Sequence, residues 1–246
     1  MVSRPPRKIH HIVPMPRLDV DEEPPFGREV AQEIEFLVDL MDLQVENAIL
    51  DVASGAGRHS LELARRGFTN VTALDLSDQL LGIGQRAAEK VGVFVEFVKG
   101  DARAMRFKAQ FDAALIVGGG AFGLMETDTE NQKILDSAFE ALEPGGRVAV
   151  SGMSLLYLIR NAKDLSGYDP QTGYMHSTER VQVEGGAVED LPLAERYYVF
   201  PGLKRMMEQS GFRGIMGFGA SPGRYSSRSI STEDTEILVY GVKPKS

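Results

Sequence analysis

The sequence predicts an α/β fold: a doubly wound, mostly parallel seven-stranded sheet with an antiparallel terminal strand pair and an insertion after the fifth strand. Three observations predict it. From residue 28 onward short apolar runs alternate with helical patterns, the rhythm of parallel strands joined by crossover helices that cover both sheet faces. The alternation breaks once, after Met153, and resumes near Pro201, which marks the insertion. Two apolar runs then close the chain with a polar loop between them, as an antiparallel pair requires.

Each element follows from local pattern. In Arg28 to Leu43 the residues Val30, Ile34, Leu37, Val38 and Met41 recur at helical spacing and give one buried stripe. Ala48 to Val52, Val71 to Leu76, Val93 to Val98, Ala113 to Val117 and Val148 to Ser151 are apolar, β-branched runs of strand length. Between them lie helices over Arg58 to Arg66, Ser77 to Val91 with Ser77 as N-cap, and Asp128 to Leu142 ahead of Pro144-Gly145-Gly146. Pro201 suits the first position of a helix that runs to Ser210, and Gly211 suits its stop. The terminal strands are Arg213 to Gly219 and Glu236 to Val242, separated by the polar loop Ala220 to Thr235.

The chain of 246 residues is long enough for one α/β domain with an insertion. The expected organisation is a flexible arm over residues 1–25 and a single domain over 26–246 with a lid at 154–200. The arm carries Arg4, Arg7, Lys8 and Arg17, with four prolines and no acid up to Arg17. Hydrophobic residues at 43% and charged residues at 25% are a globular composition. No run approaches the length of a membrane span and no secretory leader opens the sequence, so the expected location is the cytoplasm, with no membrane partner. Zero cysteines exclude disulfides, thiolate metal sites and cysteine nucleophiles. The formal net charge of −8 disfavours nucleic acid as substrate.

The chemistry concentrates at three strand ends. Ile49 to His59 reads as a strand, an acid, a small-residue turn and a helix, and Gly55 and Gly57 let the backbone turn tightly against a ligand. Asp51 argues against a dinucleotide, whose pyrophosphate a carboxylate at this turn would repel. A cationic ligand suits it better. Asp75 closes the second strand, 20 residues beyond Gly55, where a carboxylate can accept hydrogen bonds from both hydroxyls of a ribose. Asp101, in Lys99-Gly100-Asp101-Ala102 after the third strand, can accept from an adenine amino group while Ala102 donates its backbone amide.

On these residues the chain resembles the class I S-adenosylmethionine-dependent methyltransferases, whose leading motif runs acid, apolar, Gly, any, Gly, any, Gly. Asp51, Ala53, Gly55 and Gly57 match it with Ala53 in place of the first glycine, and the likeness spans about Glu29 to Met153. The resemblance implies S-adenosylmethionine (SAM) as cofactor and S-adenosylhomocysteine (SAH) as product. It places Asp51, Ala53, Gly55 and Gly57 near the methionine part, Asp75 and Leu76 near the ribose, Asp101 and Ala102 near adenine, and Val117 and Gly118 beside the sulfonium. The Asn/Asp-Pro-Pro-aromatic motif common in enzymes acting on amide or base nitrogens is missing; Gly118 to Gly120, Ala121, Phe122 and Gly123 stand there instead.

The implied reaction is methyl transfer to nitrogen or oxygen of a small-molecule acceptor by in-line displacement, in which positioning and exclusion of water supply much of the rate. The acceptor-binding candidates are Phe122 as a wall and Tyr168, Tyr174, His176 and Arg180 in the insertion. If a base is used, candidates lie in Tyr168 to Arg180, with His176 suited because an unperturbed imidazole titrates near neutrality, ahead of His10, His11 and His59. No metal is expected. Two other readings fit parts of the pattern, a SAM-binding regulatory or scaffold protein without transfer activity and a nicotinamide-dependent dehydrogenase.

Overall fold

The computed structural model describes residues 27–119, 121–182 and 188–245. The basic arm expected over residues 1–25 lies outside the described residues. Helix α1 (Arg28–Leu40) precedes β1 (Ile49–Val52), α2 (Arg58–Arg65), β2 (Val71–Asp75), α3 (Asp78–Val91), β3 (Glu96–Lys99), β4 (Phe111–Ile116), α4 (Asp128–Ala141) and β5 (Leu142–Ser154). The insertion follows as α5 (Leu155–Asn161), β6 (Tyr168–Asp169), β7 (Tyr174–Gln182) and β8 (Val188–Tyr198). Then come α6 (Phe200–Ser210), β9 (Arg213–Ala220) and β10 (Glu236–Val242).

The main sheet runs β3-β2-β1-β4-β5-β10-β9, so the expected seven strands and their closing antiparallel pair are present. Strands β1 to β5 are parallel, and β10 is antiparallel to both β5 and β9. Strand order reverses between β1 and β4, which leaves a crevice beyond their carboxyl ends, the usual ligand position in such sheets. One apolar layer gathers α4, α6 and β5 around Ile134, Leu135, Leu203 and Met207; the other packs α1 and α2 through Ile34, Leu37, Leu61 and Leu63. The central strands are buried on both faces, so they read as continuous apolar runs.

The insertion is an antiparallel sheet of its own, β6-β7-β8, where the sequence showed only a break in rhythm. It joins the main sheet where Met153 and Ser154 pair in parallel with Tyr197 and Tyr198 of β8. Helix α4 ends at Ala141, ahead of Pro144, and β5 begins at once, much earlier than Val148. Its start is irregular, with Phe111 opposite Leu142 but Ala113 opposite Arg147, and Gly145 in a left-handed conformation. The Pro-Gly-Gly run therefore shapes a bulged strand entry rather than stopping the helix. Strand β3 is likewise later than Val93 to Val98, because Glu96 to Lys99 are the residues that pair with β2. Among the described residues no helix is long and apolar enough to cross a membrane.

Candidate donor and acceptor sites

The turn after β1 is built on left-handed backbone at Ala53, Gly55 and Gly57, with φ of 56°, 59° and 75°. Such angles are open to glycine and costly, by roughly 1–2 kcal/mol, for a residue with a Cβ, so Ala53 is a strained position inside a binding loop. A Cβ on Gly55 would meet only Leu80, at 4.0 Å, and so projects into open space. On Gly57 it would meet the Phe97 ring at 2.9 Å. Gly55 thus carries an open face and Gly57 the packing of the loop, a division the spacing alone does not reveal. Gly84 of α3 belongs to the same packing, since a Cβ there would lie 2.6 Å from the Ala56 carbonyl oxygen.

The three acids are not equivalent. Asp51 is 1% exposed and accepts the Ser60 hydroxyl at 2.6 Å. Burial raises its carboxyl above the usual range, against the lowering effects of the His59 charge, the hydrogen bonds from Ser60 and the Arg58 charge. It braces the turn from beneath. Asp75 ends β2 half-buried, one oxygen accepting the Gly55 amide at 2.8 Å and the other the Ser77 amide at 2.9 Å. Each carboxylate oxygen keeps a further acceptor site. Asp101 is engaged by Arg103, through the backbone amide at 2.9 Å and the guanidinium at 2.6 Å, and Arg103 also holds Glu130 at 2.9 Å. The Arg103 hydrogen bond is the main reason that the Asp101 carboxyl sits low despite partial burial. Next to Asp75, Leu76 is exposed at 44%, whereas Ala102 is buried.

A small cleft, a recess open to solvent, lies past the end of β4 and along the last residues of β5, lined chiefly by Gly119, Phe122, Ser151, Met153, Glu195 and Glu236. Phe122 stacks on Tyr198 with ring centroids 5.3 Å apart. The Tyr197 hydroxyl donates to Glu195 at 2.7 Å, and Tyr225 donates to Glu236 at 3.2 Å. Val117 is buried at the end of β4, and the Gly118 amide donates to Ser151 Oγ at 3.1 Å. A side chain at Gly118 would strike the Arg58 guanidinium and His59. Behind these, buried Glu33 accepts from His59 at 2.7 Å and from the Gly223 amide at 2.8 Å.

Of the acceptor candidates read from sequence, Phe122 alone borders this cleft. Tyr174 is buried, accepts from Asn131 at 3.0 Å and lies beneath Arg196; burial pushes its phenol up to about 12. It packs the insertion onto α4 rather than facing open space. His176 is exposed on β7, with its ring 6.4 Å from that of Tyr174, and Tyr168 is half-buried in β6. Arg180 is 82% exposed and pairs with Asp190 at 3.3 Å near the hairpin end. Sequence reasoning missed Ser151, Glu195 and Glu236, because each sits inside a strand and only three-dimensional pairing brings them to one cleft. Among the described residues there is no group of three His, Asp or Glu that could hold a metal ion.

Comparison with known proteins agrees with this arrangement. The family model for a methyltransferase domain matches residues 49–146. The ubiquinone/menaquinone biosynthesis C-methyltransferase UbiE of Salmonella arizonae is 30% identical over 196 residues, which is 76% of this chain and 75% of that protein. Among solved structures, the CcbJ methyltransferase from Streptomyces caelestis superposes with a TM-score of 0.72 at 18% identity, over 89% of this chain and 90% of that one. The glycopeptide N-methyltransferase MtfA complexed with sinefungin matches with a TM-score of 0.59 at 20% identity, over 87% of this chain and 94% of that one. At such identities these two likenesses concern the fold.

Proposed function

The chain belongs to the class I S-adenosylmethionine-dependent methyltransferases, and from that premise we propose that it methylates a nitrogen or oxygen of a small molecule bound in the cleft beyond β4 and β5. One observation carries this reading: the turn bearing Gly55 follows β1, and the cleft borders the turn after β4, the strand paired directly with β1 in the same sheet. SAM supplies an electrophilic methyl group on a sulfonium whose loss leaves a neutral thioether.

The residues fit that cofactor. The open space at Gly55 leaves room for the methionine part, on a loop braced by Asp51 and turned at Ala53 and Gly57. Asp75, fixed by two backbone amides, has acceptor sites left for the ribose hydroxyls beside Leu76. Ala102 offers its backbone amide to adenine, whereas Asp101 would have to share its carboxylate with Arg103. Val117 and Gly118, just past β4, would lie beside the sulfonium.

In the cleft, Phe122 gives a flat apolar wall and the two glutamates give acceptors for an N–H or O–H group, the mixture a small-molecule pocket needs. Their negative charge favours an amine or neutral hydroxyl compound over a polyanion such as nucleic acid. The insertion borders this side through Glu195 of β8, which supports its role as a lid, with Tyr168 and His176 as peripheral contacts. A second reading, methylation of carbon, is favoured by the name of the relative at 30% identity. The test is turnover with methyl-labelled SAM on a panel of small amines, phenols and quinols, with the labelled carbon located in the product by NMR. A carbon–nitrogen or carbon–oxygen bond supports the proposal; a new carbon–carbon bond replaces it with the second reading.

A further inference from the structure

We propose that Glu236 is the carboxylate that receives the proton released by methyl transfer, and that its charge rises and falls with the charge on the donor sulfur. The proposal rests on the cleft being the acceptor site. Glu236 is the first residue of β10, paired opposite Met153 of β5, and is 7% exposed while its side chain lines the cleft. Its Oε2 accepts from Tyr225 at 3.2 Å, and Ser151 is a second hydrogen-bond partner. Ser151 Oγ in turn accepts the Gly118 amide at 3.1 Å. A continuous chain of hydrogen bonds thus leads from the turn between the two halves of the site to this one acid.

Position explains why the acid is Glu236 and not Glu195. Glu195 lies across the cleft on β8 and accepts from Tyr197, whereas Glu236 is the carboxylate joined to the Gly118 turn. Charges act strongly on a group so removed from water. The charged and titratable groups around it are Tyr225 in the loop before β10, Glu33 on α1, Arg58 on α2 and Glu195 across the cleft. Burial raises its carboxyl first of all, and Glu33 adds to this. Hydrogen bonds from Ser151 and Tyr225 and the Arg58 charge oppose it, and the net direction is upward. A nearby sulfonium favours the ionised form.

The step balances. A lone pair on the acceptor atom forms the new bond to the methyl carbon, and the carbon–sulfur bond breaks with its pair going to sulfur. The acceptor's proton moves to Glu236. Before transfer the sulfonium and Glu236 form one positive and one negative group; afterwards they are a neutral thioether and a neutral acid. The sulfonium–Glu236 pair therefore stays neutral overall through the step.

The test needs no acceptor. Calorimetric titration of the purified chain with SAM and with SAH, in buffers of different ionisation heat and at several pH values, counts the protons exchanged. The wild type should retain more protons in the SAH complex than in the SAM complex, with the difference largest above the ordinary glutamate range. In E236Q the difference should vanish, and SAM should lose affinity relative to SAH, because a charge coupled to the sulfonium is removed and the coupling is reciprocal. In Y225F, which removes a hydrogen bond that holds the carboxylate low, the pH of largest difference should move upward. An equal proton count for both ligands in the wild type, a difference that survives in E236Q, or an unshifted profile in Y225F overturns the proposal. None of these outcomes depends on which acceptor atom is methylated.

Discussion

Gly55 and Gly57 have the same residue type, the same left-handed backbone and adjacent places in one motif, yet only one has an open face. Replacing Gly57 by Val drives the new side chain into Phe97 and should destabilise the fold by roughly 1–3 kcal/mol through overpacking, on top of backbone strain. Replacing Gly55 by Val points it into open space instead. That variant should melt within a few degrees of wild type, since it bears the strain alone, and should fail to bind SAM. Paired melting and binding measurements check both, and SAM binding by a folded Gly55→Val variant would place the ligand elsewhere. Glu33 shows how a single buried acid sets a pH limit. Burial raises its carboxyl, but the His59 hydrogen bond and charge, the Gly223 amide and the Arg58 charge outweigh it, so it titrates below the ordinary range. Its contribution is full above the unfolded pKa of about 4.3 and is lost as pH falls through the lower folded value. Urea midpoints measured against pH should therefore drop on the acid side, and Glu33→Gln should flatten that drop while costing roughly 1–3 kcal/mol at neutral pH.

At the scale of elements, the strands and helices of the main sheet were legible because each carries its own periodicity and cap. Ser77 accepts from the Leu80 amide as an N-cap does, and α6 ends at left-handed Gly211. The strands inside the insertion were not legible, because β7 and β8 are polar strands stabilised by each other across a long register from Tyr174 to Gln182. The residues proposed for the cofactor could be named for the same local reason as the main sheet: Gly55 and Asp75 stand on the turn and the strand end that their own sequence context predicts. Glu236 and Ser151 meet only through the pairing of β10 with β5, a long-range event that no local pattern signals. The insertion is attached at a few identifiable points, one of them the Asn131–Tyr174 hydrogen bond between α4 and β7. Asn131→Ala leaves a buried hydroxyl without its donor and loses the Gly123 amide's partner as well, so about 1–3 kcal/mol of stability should disappear. Hydrogen exchange in β7 should quicken while SAM affinity stays at the wild-type value; unchanged exchange would mean that the insertion is held elsewhere.

For the whole molecule, the division of labour follows from sheet order. In the proposed arrangement the strand ends of β1 and β2 carry the turn assigned to the cofactor, those of β4 and β5 border the cleft, and the insertion follows β5. Because SAM binds the folded chain and not the unfolded one, its presence at 100 times Kd should raise stability by about 2.7 kcal/mol. The most direct test of this arrangement is the SAM dissociation constant of Asp75→Ala beside that of wild type. The variant loses the carboxylate assigned to the ribose, where each charge-assisted hydrogen bond contributes roughly 1.5–3 kcal/mol. SAM binding should weaken at least tenfold with the fold retained. An unchanged constant in a folded Asp75→Ala protein would contradict the placement of the cofactor at the end of β2.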